Sequence, residues 1–105
     1  MIKKIQECFK GDRIYYSRHA RDEMENEEFG EIGDEEIFET ISMGEIIENY
    51  PDDEPNPSCL VYGRTLKDRP LHVVCAYSDD ENLSIIVTAY QPVPERWIDF
   101  SRRQK

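Results

Sequence analysis

Three runs near the C-terminal half, Ser58 to Thr65, Leu71 to Tyr77 and Leu83 to Tyr90, alternate apolar and polar side chains and are rich in β-formers. The connections between them, Leu66-Lys67-Asp68-Arg69-Pro70 and Ser78-Asp79-Asp80-Glu81-Asn82, are short and polar. Strands joined so tightly are antiparallel neighbours. This constraint limits the chain to folds built around a meander. Glu45 to Tyr50 predicts one further strand before the proline-broken loop 51–57.

Upstream, the apolar spacing changes to a helical period. Ile2, Ile5, Cys8 and Phe9 predict a first helix stopped by Gly11. Ile14-Tyr15-Tyr16 is extended. Ser17 predicts the cap of a second helix reaching about Glu28, with Ala20 and Met24 as its thin apolar side. Asp34 predicts the cap of a third, with Ile37, Phe38 and Ile41 inward, ending at Gly44. The expected fold class is α+β in one domain, residues 1–105. Its N-terminal helices pack on one face of an antiparallel sheet of about four strands. Arg96, Arg102, Arg103 and Lys105 mark residues 98–105 and their approach as a basic C-terminal tail.

Charge excludes some functions. The formal net charge of -10 is uneven: residues 20–55 hold fifteen Asp/Glu and a single Arg, while both flanks are slightly basic. That sign opposes general nucleic-acid affinity, so any RNA contact must be local. The acidic block is a solvated surface or a docking face for a basic partner. No apolar run is long enough to span a membrane, and no apolar segment follows Lys3-Lys4 as in a signal peptide, so a cytoplasmic location is expected. Three cysteines without a CxxC pair, and two histidines, offer no zinc-site spacing, so neither metal nor cofactor is expected. Cys59 and Cys75 read as small buried hydrophobes.

Strand alternation sorts the three last strands into two faces. One face, including Cys59, Val61, Gly63, Leu71, Val73, Cys75, Leu83, Ile85, Val87 and Ala89, is apolar and should meet the helices. The other carries Tyr62, Arg64, His72, Ser84, Thr88 and Tyr90. Symmetric hairpins would pair Arg64 with His72 and His72 with Thr88, placing a cation, an imidazole and a hydroxyl in one row. Such a row suits phosphodiester chemistry: a base takes the ribose 2′ proton and a cation stabilises the charged intermediate. Each residue also has a plain role, as an exposed strand arginine, an edge histidine or a half-buried sheet aromatic.

The second candidate cluster is Ser17-Arg18-His19-Ala20-Arg21. His19 lies in the first helical turn, with Glu23 one turn on to orient it. Arg18 and Arg21 could hold phosphate, or simply offset the acids that follow. Tyr62 and Tyr90 could stack on bases. Gly63, in mid-strand, signals a bulge or a close approach by another element.

The segments Tyr16-Ser17-Arg18-His19-Ala20-Arg21-Asp22-Glu23-Met24, Gly44-Glu45-Ile46-Ile47-Glu48-Asn49-Tyr50-Pro51, Pro57-Ser58-Cys59-Leu60-Val61-Tyr62-Gly63-Arg64-Thr65, Pro70-Leu71-His72-Val73-Val74 and Thr88-Ala89-Tyr90-Gln91-Pro92 together resemble the domain-of-unknown-function family 4258. That family is similar in pattern to RelE-like ribonuclease toxins of the barnase, EndoU, colicin and RelE group. Its members are often encoded beside a small zinc-finger or helix-turn-helix antitoxin. The resemblance implies a RelE-like α+β fold and metal-independent RNase activity. It implies His19, Arg64, Thr88 and Tyr90 as catalytic candidates. Arg18, Arg21, Tyr62 and His72 are the candidates for holding substrate. The strong acidity departs from such toxins, which are usually basic.

Two functions are therefore expected as alternatives. One is a metal-independent endoribonuclease, the toxin-like component of a toxin–antitoxin pair, with RNA and an antitoxin as partners. The other is a non-catalytic interaction domain that docks a basic partner through its acidic helical face and pairs an open strand edge with a second copy.

Overall fold

The computed structural model describes residues 1–94 and 96–103, without the side chains of Ile98 and Arg103. Lys105 of the expected basic tail lies outside the described residues. The fold class is α+β, with elements in the order α1 (Ile2–Lys10), β1 (Ile14–Tyr16), α2 (Arg18–Glu25), α3 (Asp34–Ser42), β2 (Glu45–Tyr50), β3 (Ser58–Arg64), β4 (Pro70–Ser78), β5 (Leu83–Tyr90), β6 (Trp97–Ile98) and β7 (Arg102–Arg103).

The expected four strands form the sheet's antiparallel part, and a fifth joins them: the order is β1-β5-β4-β3-β2. Ile14-Tyr15-Tyr16, read from sequence only as extended, pairs parallel with β5. Three residues carry too little alternation to declare a partner, and this one lies far away in sequence. β6 and β7 make a separate two-stranded ribbon where the basic tail was expected.

The helices cover one face. Ile5, Phe9, Ala20, Met24, Ile37 and Ile41 share a core with Cys59, Val61, Leu71, Val73, Cys75, Ile86 and Ala89. Cys8, Cys59 and Cys75 are free and buried. Burial pushes the Cys59 thiol up to about 11 and Cys75 well above its ordinary range. Gly63 faces α3. A Cβ there would lie 2.5 Å from the Thr40 carbonyl oxygen, so the helix backbone rests directly on the strand. The mid-strand glycine marks a close approach, as its position suggested.

Several boundaries differ from expectation for local reasons. α2 stops at Glu25: the Asn26 backbone N–H and side-chain amide both donate to the Asp22 carbonyl, at 3.1 and 2.9 Å. The Ile32 N–H then bonds the Met24 carbonyl at 2.9 Å, folding the following loop back. Gly33, not Asp34, caps α3, and its N–H donates to Glu36 Oε1 at 3.1 Å. Phe38, expected inward, is 44% exposed and leans on Phe9, while Thr40 takes the inner position.

The hairpins are tighter than the symmetric ones expected. Thr65 N–H bonds the Arg69 carbonyl at 3.0 Å, and Asp68 turns the chain at φ 66°. Arg64 therefore stands opposite Pro70, and Tyr62 opposite His72. An offset of two residues keeps every side chain on its face. In the next hairpin His72 pairs with Tyr90 and Val74 with Thr88, but Cys75 pairs with Ile86. Val87 is the extra residue of a bulge, which reverses the alternation before it. Hence Ser84 and Ile86 face the helices, and the expected core residues Ile85 and Val87 do not.

Candidate functional site

Arg64, His72 and Thr88 share a face but do not form one row. The row that exists is Tyr62, His72 and Tyr90, on three adjacent strands. The imidazole of His72 stands edge-on to both phenol rings, with centroids 5.8 Å from Tyr62 and 5.2 Å from Tyr90. Thr88 sits one level away, opposite Val74, and Arg64 one level the other way.

The C-terminal ribbon lies over this row. Trp97 packs on His72 at 4.3 Å between centroids, with the planes at 89°. His72 is fully buried. Its Nδ1 is 3.2 Å from the Tyr90 hydroxyl, and its Nε2 meets the Phe100 carbonyl oxygen, so the indole and the ribbon backbone close the imidazole off from solvent. The Arg64 guanidinium lies 5.7 Å from the Phe100 ring centre and donates to the Asp68 carbonyl at 3.0 Å.

Two grooves flank the Trp97 cover. On one side, Met43, Glu45, Tyr62, Gly63 and Arg64 line an open groove of about 400 Å³. Glu45 is exposed and directly opposite Tyr62 across β2 and β3. A carboxylate, a phenol and a guanidinium thus converge in an accessible place. On the other side, Tyr90, Gln91, Val93, Arg96 and Trp97 line a groove of about 340 Å³. Glu45 was not singled out from the sequence, because one more acid in an acidic block carries no signal.

The Ser17–Arg21 cluster belongs elsewhere. α2 contributes Ala20 and Met24 to the core on the helix-covered face, opposite the side chains of Tyr62 and Arg64. His19 projects outward there, with Nε2 3.9 Å from Glu23 Oε1, and does not meet the sheet row. Arg18 is exposed. Arg21 makes two bonds to the Asp34 carboxylate and lies 3.9 Å over the Tyr16 ring. Both the bond to Asp34 and its charge push Arg21 up. Ser17 has the clearest role: its Oγ accepts from Ala20 N–H and donates to the Val87 carbonyl, each at 3.0 Å. It caps the helix and ties it to the bulge.

Arg69 was also missed. Its Nε donates to Gln91 at 2.7 Å, its Nη1 to the Glu36 carboxylate at 3.1 and 3.2 Å, and its Nη2 to the Gly30 carbonyl. One guanidinium therefore joins the β3–β4 hairpin to the loop before α3 and to the chain leaving β5. Only the tertiary fold brings those three segments together.

Among the described residues no helix is long and apolar enough to cross a membrane. No curated protein and no solved structure matches the chain. A sequence model of one family, described as "Domain of unknown function (DUF4258)", matches residues 16–91, from the last residue of β1 to just beyond β5. The match takes in most of the chain, so this protein belongs to the DUF4258 family.

Proposed function

We propose that the face of the sheet away from the helices binds and cleaves single-stranded RNA without a metal ion, as the toxin-like member of a toxin–antitoxin pair would. The observation that carries this reading is the groove shared by Glu45, Tyr62 and Arg64. Arg64 grips the scissile phosphate, exchanging its bond to Asp68 for a charge-assisted one. Glu45 takes the proton of the ribose 2′-hydroxyl as that oxygen attacks phosphorus. The bond from phosphorus to the 5′ oxygen breaks, and the Tyr62 hydroxyl returns a proton to the leaving oxygen. The products are a 2′,3′-cyclic phosphate and a free 5′-hydroxyl. Tyr90 and Arg96, in the groove beyond Trp97, suit stacking on a neighbouring base and holding the next phosphate. His72 acts as a positioning residue, fixing the Tyr90 ring from below.

The second reading, docking of a basic partner, draws on the opposite side of the molecule, and both can hold in one protein. The RNase reading is tested with end-labelled single-stranded RNA in EDTA. Cleavage is expected, with cyclic phosphate ends, and a 2′-deoxy substitution at the cut site should block it. Glu45→Gln or Arg64→Ala should each slow it by about 10²-fold or more, with His19→Ala within twofold of the parent protein. RNA left intact by excess folded protein, or a fully active E45Q/R64A double variant, ends the proposal.

A further inference from the structure

A surface on the helix side of the molecule is built differently from the rest of the acidic block. Phe9, Ile14, Tyr16 and Phe38, from α1, β1 and α3, floor a groove of about 410 Å³. Its rim carries Asp12, Asp34 and Glu35. The single arginine at that rim, Arg21, is already held by Asp34. On the far side of the first turn of α3, Asp34, Glu35, Glu36 and Glu39 border a second groove of about 570 Å³, closed by the Thr65–Lys67 turn. Leu66, 87% exposed, stands on that border, and Phe38, 44% exposed, on the first. Two adjoining grooves thus share one carboxylate-bearing wall, each with an exposed apolar side chain beside it.

From this we infer that the grooves on either side of the α3 first turn are a docking site for a basic, amphipathic helical segment of a partner protein. Charge chooses the occupant. A second copy of this chain carries the same net charge of -10 and would be repelled. RNA and anionic lipid surfaces are repelled locally, by the carboxylates of Asp12, Asp34, Glu35, Glu36 and Glu39 that line these two grooves. A helix with Leu or Phe at i, i+3 and i+4 spacing, flanked by Lys and Arg, places its apolar side on the Phe9–Phe38 floor and its cations against Glu35 and Asp12. The inference does not depend on the chemistry proposed for the other face of the sheet.

The test uses the whole protein and two synthetic peptides of identical Lys, Leu and Phe composition. One is ordered as an amphipathic helix and the other scrambled. Titrations are followed by ¹⁵N amide shifts and by anisotropy at two salt concentrations. The ordered peptide should bind at micromolar concentration and move the amides of Phe9, Tyr16, Glu35 and Phe38. Its affinity should fall about tenfold in the Phe38→Ser/Glu35→Gln variant and in high salt. Arg64→Ala should leave it unchanged. Equal binding of the scrambled peptide, shifts confined to the β2–β4 side, or unchanged affinity in the folded F38S/E35Q variant each overturn the inference.

Discussion

The Trp97 indole stands edge-on to the His72 imidazole, 4.3 Å between centroids and at 89°. This is the only tryptophan of the chain. Its fluorescence therefore reports whether the C-terminal ribbon is seated on the sheet. Trp97→Ala should unseat the ribbon and let water reach His72. The expected outcome is a His72 ring N–H that exchanges with solvent faster than in the parent protein. Exchange as slow as in the parent protein would show that other residues close the site.

Gly63→Ala should be among the most damaging small substitutions. The new methyl group would meet the Thr40 carbonyl at 2.5 Å, and α3 has to move away from β3. Overpacking of this kind costs about 1–3 kcal/mol. Urea denaturation should show the midpoint falling with little change in slope. A midpoint equal to that of the parent protein would contradict the contact.

Ser84 is fully buried, and among the described residues its hydroxyl oxygen has no hydrogen-bond partner. Ser84→Ala removes that desolvated group and should stabilise the protein by roughly 1 kcal/mol. Ser17→Ala should do the reverse. It removes the cap of α2 together with the tie to Val87, at a cost of about 1–2 kcal/mol. Thermal melts of the two variants should therefore move in opposite directions.

Alkaline pH should destabilise the fold. Burial, and then the nearby Asp34 carboxylate, push the Tyr16 phenol up to about 12 from an ordinary 10.0. Between those values the unfolded chain has lost a proton that the folded one keeps, so stability falls as pH rises. The buried Cys59 thiol works in the same direction between 9.0 and about 11. Below pH 9 neither group contributes a slope. Tyr16→Phe should flatten the loss between pH 10 and 12, as measured by urea titration at fixed pH.

Much of this architecture is legible in the residues. The period change at the Gly44–Glu45 junction separates helices from strands, Ser17 caps where it should, and Gly63 signals a neighbour. The face assignment of β3 and β4 follows from alternation alone, and it survives a register offset of two because two is the strand period. β5 defeats the same rule. Nothing in Ile85-Ile86-Val87-Thr88 marks which residue bulges, since all four are good strand formers. The residue that bulges, Val87, is the one whose carbonyl accepts from the distant Ser17 hydroxyl. The site was half visible for a related reason. The sheet face showed in the pattern, while the Trp97 cover and the pairing of Glu45 with Tyr62 depend on how distant segments dock.

The parallel strand β1 is made early and placed late. Ser17, at its end, bonds a residue 70 positions downstream. A chain still emerging from the ribosome has Ile14 and Tyr16 in hand long before β5 exists to receive them. During synthesis the sheet therefore lacks its outer seam, and α1 and α2 have no fixed floor.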